Sequence, residues 1–291
     1  MNTLRIVRRV VSLATLAGVL ATGNALAGNI TVKGSDTMIV LAQRWAEEYM
    51  KTHPEATIQV TGGGSGTGIA ALINGTTDFA NSSRRIKPEE RIAAEGAKKP
   101  PVETVACLDA LSVVVHQSNP VKELTVAQVG KIYAGYINNW KDVGGPDHKI
   151  VRYSRESSSG TYGFVKDEVM KGRDYAADCQ TMPGTSAVAE AVKNDPWGIG
   201  YGGVSYFAKI DALKILSIKA DDKSAAINPL GPDKQPNAAV VYDGSYALKR
   251  SLYIYTPGQP TGEKKAYLDW ILGPEGQKIV ADVEYIPLKK S

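Results

Sequence analysis

Residues 30–73 have the sequence ITVKGSDTMIVLAQRWAEEYMKTHPEATIQVTGGGSGTGIAALI, and this stretch decides the fold. Residues 30–32 and 57–60 are rich in β-branched side chains, which predicts two short strands. Between them, apolar residues from 37 to 52 repeat at intervals of three and four, which predicts an amphipathic helix. A glycine-rich run at 62–68 leads into a second, apolar helix. The order strand, helix, strand, helix indicates an α/β fold with a largely parallel sheet.

The same alternation of strands and helices continues to the end of the chain. The patterns predict further strands at 78–80, 102–115, 149–153, 199–201, 215–218 and 253–255, and helices after Pro88 and at 125–133, 161–170 and 264–271. The pattern restarts after residue 120, which favours two lobes. We assign residues 28–110 plus 247–291 to lobe one and residues 111–246 to lobe two. A small ligand is expected in the cleft between the lobes, which would close by a hinge.

The N-terminus has the layout of a secretory signal peptide. Three arginines lie within residues 5–9, an apolar run extends over 10–21, and residues 25–27 have the small-x-small sequence Ala-Leu-Ala. The apolar run is shorter than the roughly 20 residues that a bilayer requires. We therefore predict that residues 1–27 are cleaved and that the mature chain is exported to the periplasm.

Charge and metal-ligand content argue against two classes of function. The chain has 34 basic and 30 acidic residues, and residues 1–27 contain three of the basic residues and none of the acidic ones. The mature chain is therefore almost neutral, so no basic excess supports nucleic-acid binding. The three histidines and two cysteines show no metal-ligand spacing, and neither a metal nor a cofactor is expected. Cys107 and Cys179 either form a disulfide, which export would permit, or remain buried thiols.

Three predicted strand-to-helix junctions share glycine and hydroxyl residues. They are GSDT at 34–37, GSGTG at 64–68 and SSGT at 158–161. The first amides of a helix are unpaired and carry partial positive charge. Glycines let a ligand approach those amides closely, and hydroxyls add neutral donors. One such loop is an ordinary helix start, but three that converge would form a donor-lined pocket for an oxyanion.

Arg155 adds a charged donor to the third junction. It lies four residues before Ser159 in the segment YSRESSSGT at 153–161. A guanidinium holds two oxygens of a tetrahedral anion through its planar fork. The alternative is a surface arginine paired with Glu156, but the neighbouring hydroxyl-rich loop favours the ligand role.

Four segments together resemble the ligand loops of periplasmic phosphate-binding proteins of ABC transporters. They are GSDTM at 34–38, GGGSGTG at 62–68, DFANSSR at 78–84 and SRESSSGTYGF at 154–164. GIGY at 198–201 and SLYIYT at 251–256 are also similar, so the resemblance covers essentially the whole mature chain. It implies a two-lobed α/β clamp, monomeric and not an enzyme, that captures inorganic phosphate and delivers it to a membrane permease.

The resemblance also implies a set of ligand-binding residues in each lobe. Those of lobe one are Ser35, Asp36, Thr37, Ser65 and Ser83, and those of lobe two are Arg155, Ser159, Gly160 and Thr161. Phosphate is expected to dock on lobe one at Asp36, Thr37 and Ser65. Closure of the clamp is expected to bring Arg155 and the amides of Ser159, Gly160 and Thr161 onto the opposite side of the anion.

The chain departs from the family at one position that bears on selectivity. Some members have an aspartate where this chain has Ser83, and that carboxylate accepts a proton from bound hydrogen phosphate. Sulfate has no such proton, and a carboxylate would repel it in a dry site. Asp36 is the best substitute acceptor, although it would serve equally well as the N-cap of the first helix. Glu156 is expected to orient Arg155 rather than to contact the ligand.

Two alternatives remain open at this point. The same receptor fold could bind another oxyanion such as sulfate, or the chain could be an exported phosphatase or esterase with Ser65 or Ser159 as nucleophile. Ser65 does not lie in a G-x-S-x-G nucleophile elbow. No histidine adjoins the hydroxyl-rich loops in sequence to serve as a base. We therefore expect a receptor.

Overall fold

A nine-stranded sheet runs through residues 29–289, the part of the chain that the computed structural model describes. The strands there are β1 (Asn29–Gly34), β2 (Thr57–Thr61), β3 (Phe79–Ser82), β4 (Pro101–His116), β5 (Glu123–Thr125), β6 (Val151–Arg155), β7 (Gln180–Met182), β8 (Gly198–Gly203), β9 (Leu213–Ile215), β10 (Ser217–Lys219) and β11 (Lys249–Pro257). The large sheet has the order β2-β1-β3-β11-β4-β8-β6-β7, with β9 also paired to β4. The predicted signal peptide, residues 1–27, lies outside the described residues.

Helices follow most of these strands, as the sequence pattern predicts for an α/β fold. Those of the described chain are α1 (Ile39–Thr52), α2 (Ser65–Asn74), α3 (Pro88–Gly96), α4 (Val126–Tyr133), α5 (Gly160–Phe164), α6 (Thr185–Lys193), α7 (Ala238–Tyr242), α8 (Gly262–Leu272) and α9 (Pro274–Asp282). A 3₁₀ turn at Asp36–Met38 precedes α1, and a π-helical turn at Val165–Val169 continues α5. Within residues 29–289, every helix is too short or too polar to cross a membrane.

The packing of α1 follows from the spacing of its apolar residues. Leu41, Trp45 and Tyr49 are spaced at four residues, lie on one face of the helix and are buried. The Trp45 indole donates a hydrogen bond of 2.8 Å to the backbone oxygen of Gly276 in α9. This bond satisfies a polar atom that burial would otherwise leave unpaired, and it joins the first helix to the last.

Two long strands, β4 and β11, connect the two sides of the sheet. β4 pairs antiparallel with β11 from Pro101 to Ala110 and then with β8 from Leu111 to Val115. β1 is parallel to β2 and β3 on one side, and β6 is parallel to β7 and β8 on the other. Because β11 lies between β3 and β4, the C-terminal part of the chain completes the N-terminal side of the sheet.

The apolar side chains form two large cores. The N-terminal core gathers around Trp45 and Tyr267, the central core gathers around Trp140, and β4 contributes to both. Cys107 lies in the N-terminal core whereas Cys179 packs against the central core, and both are free thiols. The open question of a disulfide is therefore settled in favour of two thiols. The predicted α/β class is confirmed, while the residue boundaries of the lobes stay a prediction.

Candidate functional site

Four loops meet where strands of the two sides of the sheet end. They follow β1, β2, β3 and β6. The Gly64 amide donates to the oxygen of Gly34 at 3.0 Å and joins the first two loops, while the Gly66 amide donates to the oxygen of Ser158 at 2.9 Å and joins the second loop to the fourth. The three junctions that the sequence singles out therefore converge.

Four buried hydroxyl groups form the centre of this meeting point. Thr37 Oγ1 and Thr161 Oγ1 lie 2.9 Å apart, and Ser83 Oγ lies 3.4 Å from Thr161 Oγ1 and 3.4 Å from Ser65 Oγ. We call these four side chains the hydroxyl cluster. Each residue is at most 1% exposed, so the hydroxyls are shielded from bulk water. An anion bound among them would meet neutral donors from both sides of the sheet.

Glycines allow the loops to approach this closely. A Cβ atom at Gly160 would lie 2.6 Å from Ser83 Oγ and closer still to Ser65 Oγ. Gly64 has a φ of +93°, which side chains rarely adopt, and a Cβ atom there would lie 2.6 Å from the oxygen of Ser158. Any larger residue at either position would push the loops apart.

Two other predicted hydroxyls lie on the same loops but have different environments. Ser159 Oγ accepts a hydrogen bond of 3.3 Å from the Tyr162 amide and so caps α5. Ser35 Oγ is buried and has no hydrogen-bond partner among residues 29–289. Leaving a buried hydroxyl unpaired is unfavourable, which makes Ser35 a donor that an anion could satisfy.

Arg155 is fully buried and joins the two sides of the site. Its Nη2 donates to Asp36 Oδ2 at 2.9 Å and to Glu156 Oε1 at 3.1 Å, its Nε donates to Glu156 Oε2 at 3.1 Å, and its Nη1 donates to Thr185 Oγ1 at 2.9 Å. Within the described chain no hydrogen bond links Arg155 to the hydroxyl cluster. The connection runs through Asp36, the residue next to Thr37 in the chain.

Asp36 does not cap the first helix, so that possible role, which the sequence left open, is wrong. The 3₁₀ turn that begins at Asp36 has no side-chain cap. Instead, Asp36 Oδ1 accepts a bond of 2.7 Å from the Gly63 amide, and Oδ2 accepts from Arg155. The backbone oxygen of Asp36 accepts from the Tyr206 hydroxyl at 2.6 Å. These contacts hold the carboxylate at the edge of the site, where it is half-buried.

Glu156 contacts Arg155 through both carboxylate oxygens, as the sequence suggests for an orienting residue. Burial by itself would raise the pKa of Glu156. The hydrogen bonds and positive charge of Arg155 outweigh that effect and hold the pKa below its usual value. Glu156 is therefore ionised at neutral pH and fixes the plane of the guanidinium.

A second buried guanidinium, Arg250, was not expected from the sequence. Its Nη1 donates to Thr161 Oγ1 at 3.0 Å and to the backbone oxygen of Ser83 at 3.3 Å. Its Nε donates to Asp109 Oδ2 at 2.9 Å. The sequence feature that could have indicated a buried cation is Asp109, a lone acidic residue in the apolar run VACLDALSVVV at 105–115.

A cavity of about 930 Å³ opens beside the hydroxyl cluster. Its walls come from both sides of the sheet and include Ser83, Arg84, Phe164, Lys249 and Arg250. The guanidinium carbon of Arg250 lies 5.5 Å from the centre of the Phe164 ring, a cation–π distance. Arg250 therefore contacts both this cavity and Thr161.

Comparisons with known proteins identify related chains over almost the whole length. The sequence profile of the PBP superfamily domain matches residues 20–275. A protein of Pseudomonas aeruginosa named phosphate-binding protein PstS is 33% identical over 283 residues, which span 91% of this chain and 84% of that protein. The protein of the same name from Bacillus subtilis is 32% identical, with 90% and 81% of the two chains covered.

Solved structures give the same result. A substrate-binding protein of a phosphate ABC transporter from Clostridium perfringens, solved with bound phosphate, superposes with a TM-score of 0.77 at 28% identity and covers 90% of this chain and all of its own. A phosphate transport receptor from Vibrio cholerae has a TM-score of 0.71 at 26% identity, with 90% of this chain and all of that chain covered. The chain thus belongs to the PBP superfamily, in the family of the PstS phosphate-binding proteins.

Proposed function

We propose that this protein is an exported receptor that captures inorganic phosphate and delivers it to the permease of an ABC transporter. The observation that carries the proposal is the buried hydroxyl cluster, to which both sides of the sheet contribute and beside which Arg155 is held. Neutral donors and one guanidinium suit a small oxyanion, because they solvate its charge without water. Relatives that bind phosphate support the same ligand.

The ligand would be held by residues of two lobes. Lobe one, residues 28–110 plus 247–291, would contribute Ser35, Asp36, Thr37, Ser65 and Ser83. Lobe two, residues 111–246, would contribute Arg155, Ser159, Gly160 and Thr161. The two separate apolar cores support this division, because each can remain intact while the lobes move about the strands that connect them.

The charges around Arg155 favour an anion that carries a proton. Asp36 and Glu156 already balance the guanidinium. A protonated phosphate oxygen can donate to Asp36, whereas sulfate would present an unprotonated oxygen to the same carboxylate. Repulsion between two desolvated negative charges then selects phosphate over sulfate.

Hydrolysis of a phosphate or carboxylate ester has little support in this site. His53 stacks on Tyr49, His116 contacts Ser118 and His148 stacks on Trp197. Within residues 29–289 the hydrogen bonds of Ser65 and Ser159 involve no histidine that could act as a base. We infer binding without catalysis, by a monomer whose predicted signal peptide directs it to the periplasm.

Calorimetric titration of the mature protein with phosphate, arsenate, sulfate and molybdate tests the proposal. We expect phosphate and arsenate to bind far more tightly than the other two, because they carry a proton at neutral pH. Tighter binding of sulfate would contradict the phosphate assignment. A chromogenic phosphate ester serves as the second test, and turnover that disappears in Ser65→Ala or Ser159→Ala would contradict the receptor assignment.

A further inference from the structure

The pair Arg250–Asp109 is buried directly behind the hydroxyl cluster. Both side chains are at most 2% exposed, and Arg250 Nη2 lies 2.7 Å from Asp109 Oδ2. Arg250 stands at the start of β11 and Asp109 in the middle of β4, and the two positions are opposite each other in the register of these strands. The strand pairing therefore fixes where the guanidinium points.

Arg250 determines the direction of one hydrogen bond in the cluster. A guanidinium has donors and no acceptor, so Thr161 Oγ1 must accept from Arg250 Nη1. One lone pair of Thr161 Oγ1 is thereby occupied, and the hydroxyl proton of Thr161 must point elsewhere. Among residues 29–289, the other hydrogen-bond partners of Thr161 Oγ1 are Thr37 Oγ1 and Ser83 Oγ, so that proton is directed into the cluster.

A second hydroxyl of the cluster, that of Ser65, also accepts a hydrogen bond from a fixed donor. Ser65 Oγ accepts from the Ser83 amide at 3.0 Å, so its proton is also directed away from the backbone. Two hydroxyls of the cluster, Thr161 and Ser65, therefore each accept a hydrogen bond from a fixed protein donor. Their own protons remain free to be donated to an anion. Such preset donors bind an anion more tightly than freely rotating hydroxyls, because they need not reorient when it binds.

We propose that Arg250, held by Asp109, is a positioning residue that presets Thr161 as a hydrogen-bond donor to the bound anion. The inference rests on the proposed function, because it assigns a role toward the phosphate of that same site. In this mechanism Arg250 acts through Thr161, since its Nη1 donates to Thr161 and Ser83 and its Nε donates to Asp109. Its Nη2 lies 2.7 Å from Asp109 Oδ2 but makes no hydrogen bond within residues 29–289.

The test must separate positioning from a purely structural role of the ion pair. Removing one partner alone would leave an unpaired buried charge and could unfold the protein. The double substitution Arg250→Met with Asp109→Leu removes both charges and retains apolar volume, which proteins commonly tolerate. The matching change at the other end of the interaction is Thr161→Val, which removes the hydroxyl and preserves the shape of the side chain.

A double-mutant cycle built from these variants measures the dissociation constant for phosphate. In the wild-type background, we expect the Arg250→Met/Asp109→Leu pair to weaken binding on the order of tenfold, the effect of one hydrogen bond to a charged ligand. In the Thr161→Val background the same pair should change binding by less than about twofold, because no hydroxyl remains to be positioned. An equal factor in both backgrounds would overturn the inference and assign the ion pair a structural role.

Two further measurements keep the result decisive. Arg152→Met removes a different buried arginine, whose partners lie around α4 and at Asp178, and it should leave phosphate affinity unchanged. If Arg250→Met/Asp109→Leu shows no cooperative melting transition, a second apolar pair, Arg250→Leu/Asp109→Val, replaces it in the cycle, and the same two outcomes apply. If the wild-type protein binds no phosphate, the proposed function itself is overturned. If it binds phosphate but the effects in the cycle are additive, only the role of Arg250 is overturned.

Discussion

Arg155 is the residue on which the affinity of the proposed site depends most. Its guanidinium contacts side chains from both lobes as we assign them, Asp36 on one side and Thr185 on the other. We expect Arg155→Ala to weaken phosphate binding on the order of 100-fold or more, because it removes the cation and leaves two carboxylates facing the anion. Calorimetric titration measures the change.

The control for Arg155→Ala is Arg152→Ala, which also removes a buried arginine from β6. The partners of Arg152 are Asp178, the Asn138 side chain and backbone oxygens near α4, away from the proposed site. Its phosphate affinity should match that of the wild type. Unchanged affinity in Arg155→Ala, with a normal melting temperature, would remove Arg155 from the site.

Asp36 carries the prediction for selectivity. If Asp36 accepts the proton of bound phosphate, Asp36→Asn should reduce the preference for phosphate over sulfate by about tenfold or more, because the repulsion that excludes sulfate disappears. The comparison variant is Glu156→Gln. It neutralises the other carboxylate that is paired with Arg155 but leaves Asp36, the proposed proton acceptor, in place. Competition binding with both anions measures the preference. An equal loss of preference in the two variants would show that the number of carboxylates paired with Arg155, and not proton acceptance by Asp36, sets the selectivity.

At the scale of elements, the start of α5 limits how closely the two lobes approach. Gly160 is the first residue of this helix, and alanine is favourable in a helix, so Gly160→Ala introduces a steric change and little else. The added Cβ would overlap Ser65 Oγ and Ser83 Oγ. We expect phosphate affinity to fall by at least about tenfold, as the loops can no longer close around the anion.

The matched control is Gly96→Ala in α3, where a Cβ atom would meet nothing within 4 Å. Both variants should melt within a few degrees of the wild type. Small-angle scattering in saturating phosphate should show a larger radius of gyration for Gly160→Ala than for Gly96→Ala. Identical curves and affinities would mean that the contact at Gly160 is not part of closure.

The start of α3 gives a prediction for acid stability. Burial by itself would raise the pKa of Glu90, but hydrogen bonds from Arg84 and the Lys87 amide hold it below its usual value. A carboxyl group whose pKa is lowered by folding stabilises the folded state above its unfolded pKa of about 4.5, and this contribution is lost as the pH falls through the lower folded value.

We therefore expect Glu90→Gln to be less stable than the wild type at pH 7, with a difference that shrinks as the pH approaches 3. Urea denaturation at both pH values measures it. Glu89→Gln changes an exposed neighbour in the same turn and should follow the wild type throughout. A difference for Glu90→Gln that is independent of pH would contradict the ionic explanation.

For the whole molecule, the shared strand β4 predicts a single unfolding event. Residues of β4 lie in both apolar cores, so neither core can lose its packing without exposing a strand of the other. Differential scanning calorimetry of the mature protein should show one transition with equal calorimetric and van't Hoff enthalpies. Two separated peaks would mean that the lobes unfold independently.

The sequence allowed prediction of the features that local patterns encode. The loops at 34–37, 64–68 and 158–161 could be predicted, because glycine and hydroxyl residues at strand ends have direct local consequences. α6, α7 and α9 were not predicted. α9 contains Gly276 and buries few apolar side chains, Ile279 and Val280, so it depends on tertiary contacts such as the bond from Trp45.

Arg250 and Asp109 could not be paired from the sequence for a different reason. They are separated by 141 residues, and their contact depends on the register of β11 against β4. Nothing in the local pattern around Arg250 distinguishes it from a surface arginine at the start of a strand. The role of Asp36 was likewise undecided, because its acceptors are engaged by Gly63 and Arg155, which lie on other loops.

The position of β11 between β3 and β4 has a consequence for when the protein can fold. Residues 249–257 are synthesised after β3 and β4, and until they emerge these two strands lack the strand that joins them. The N-terminal core is also incomplete until α8 and α9 are present, because side chains of both helices are part of it. We therefore expect the N-terminal core to fold only after residues 249–282 have been synthesised.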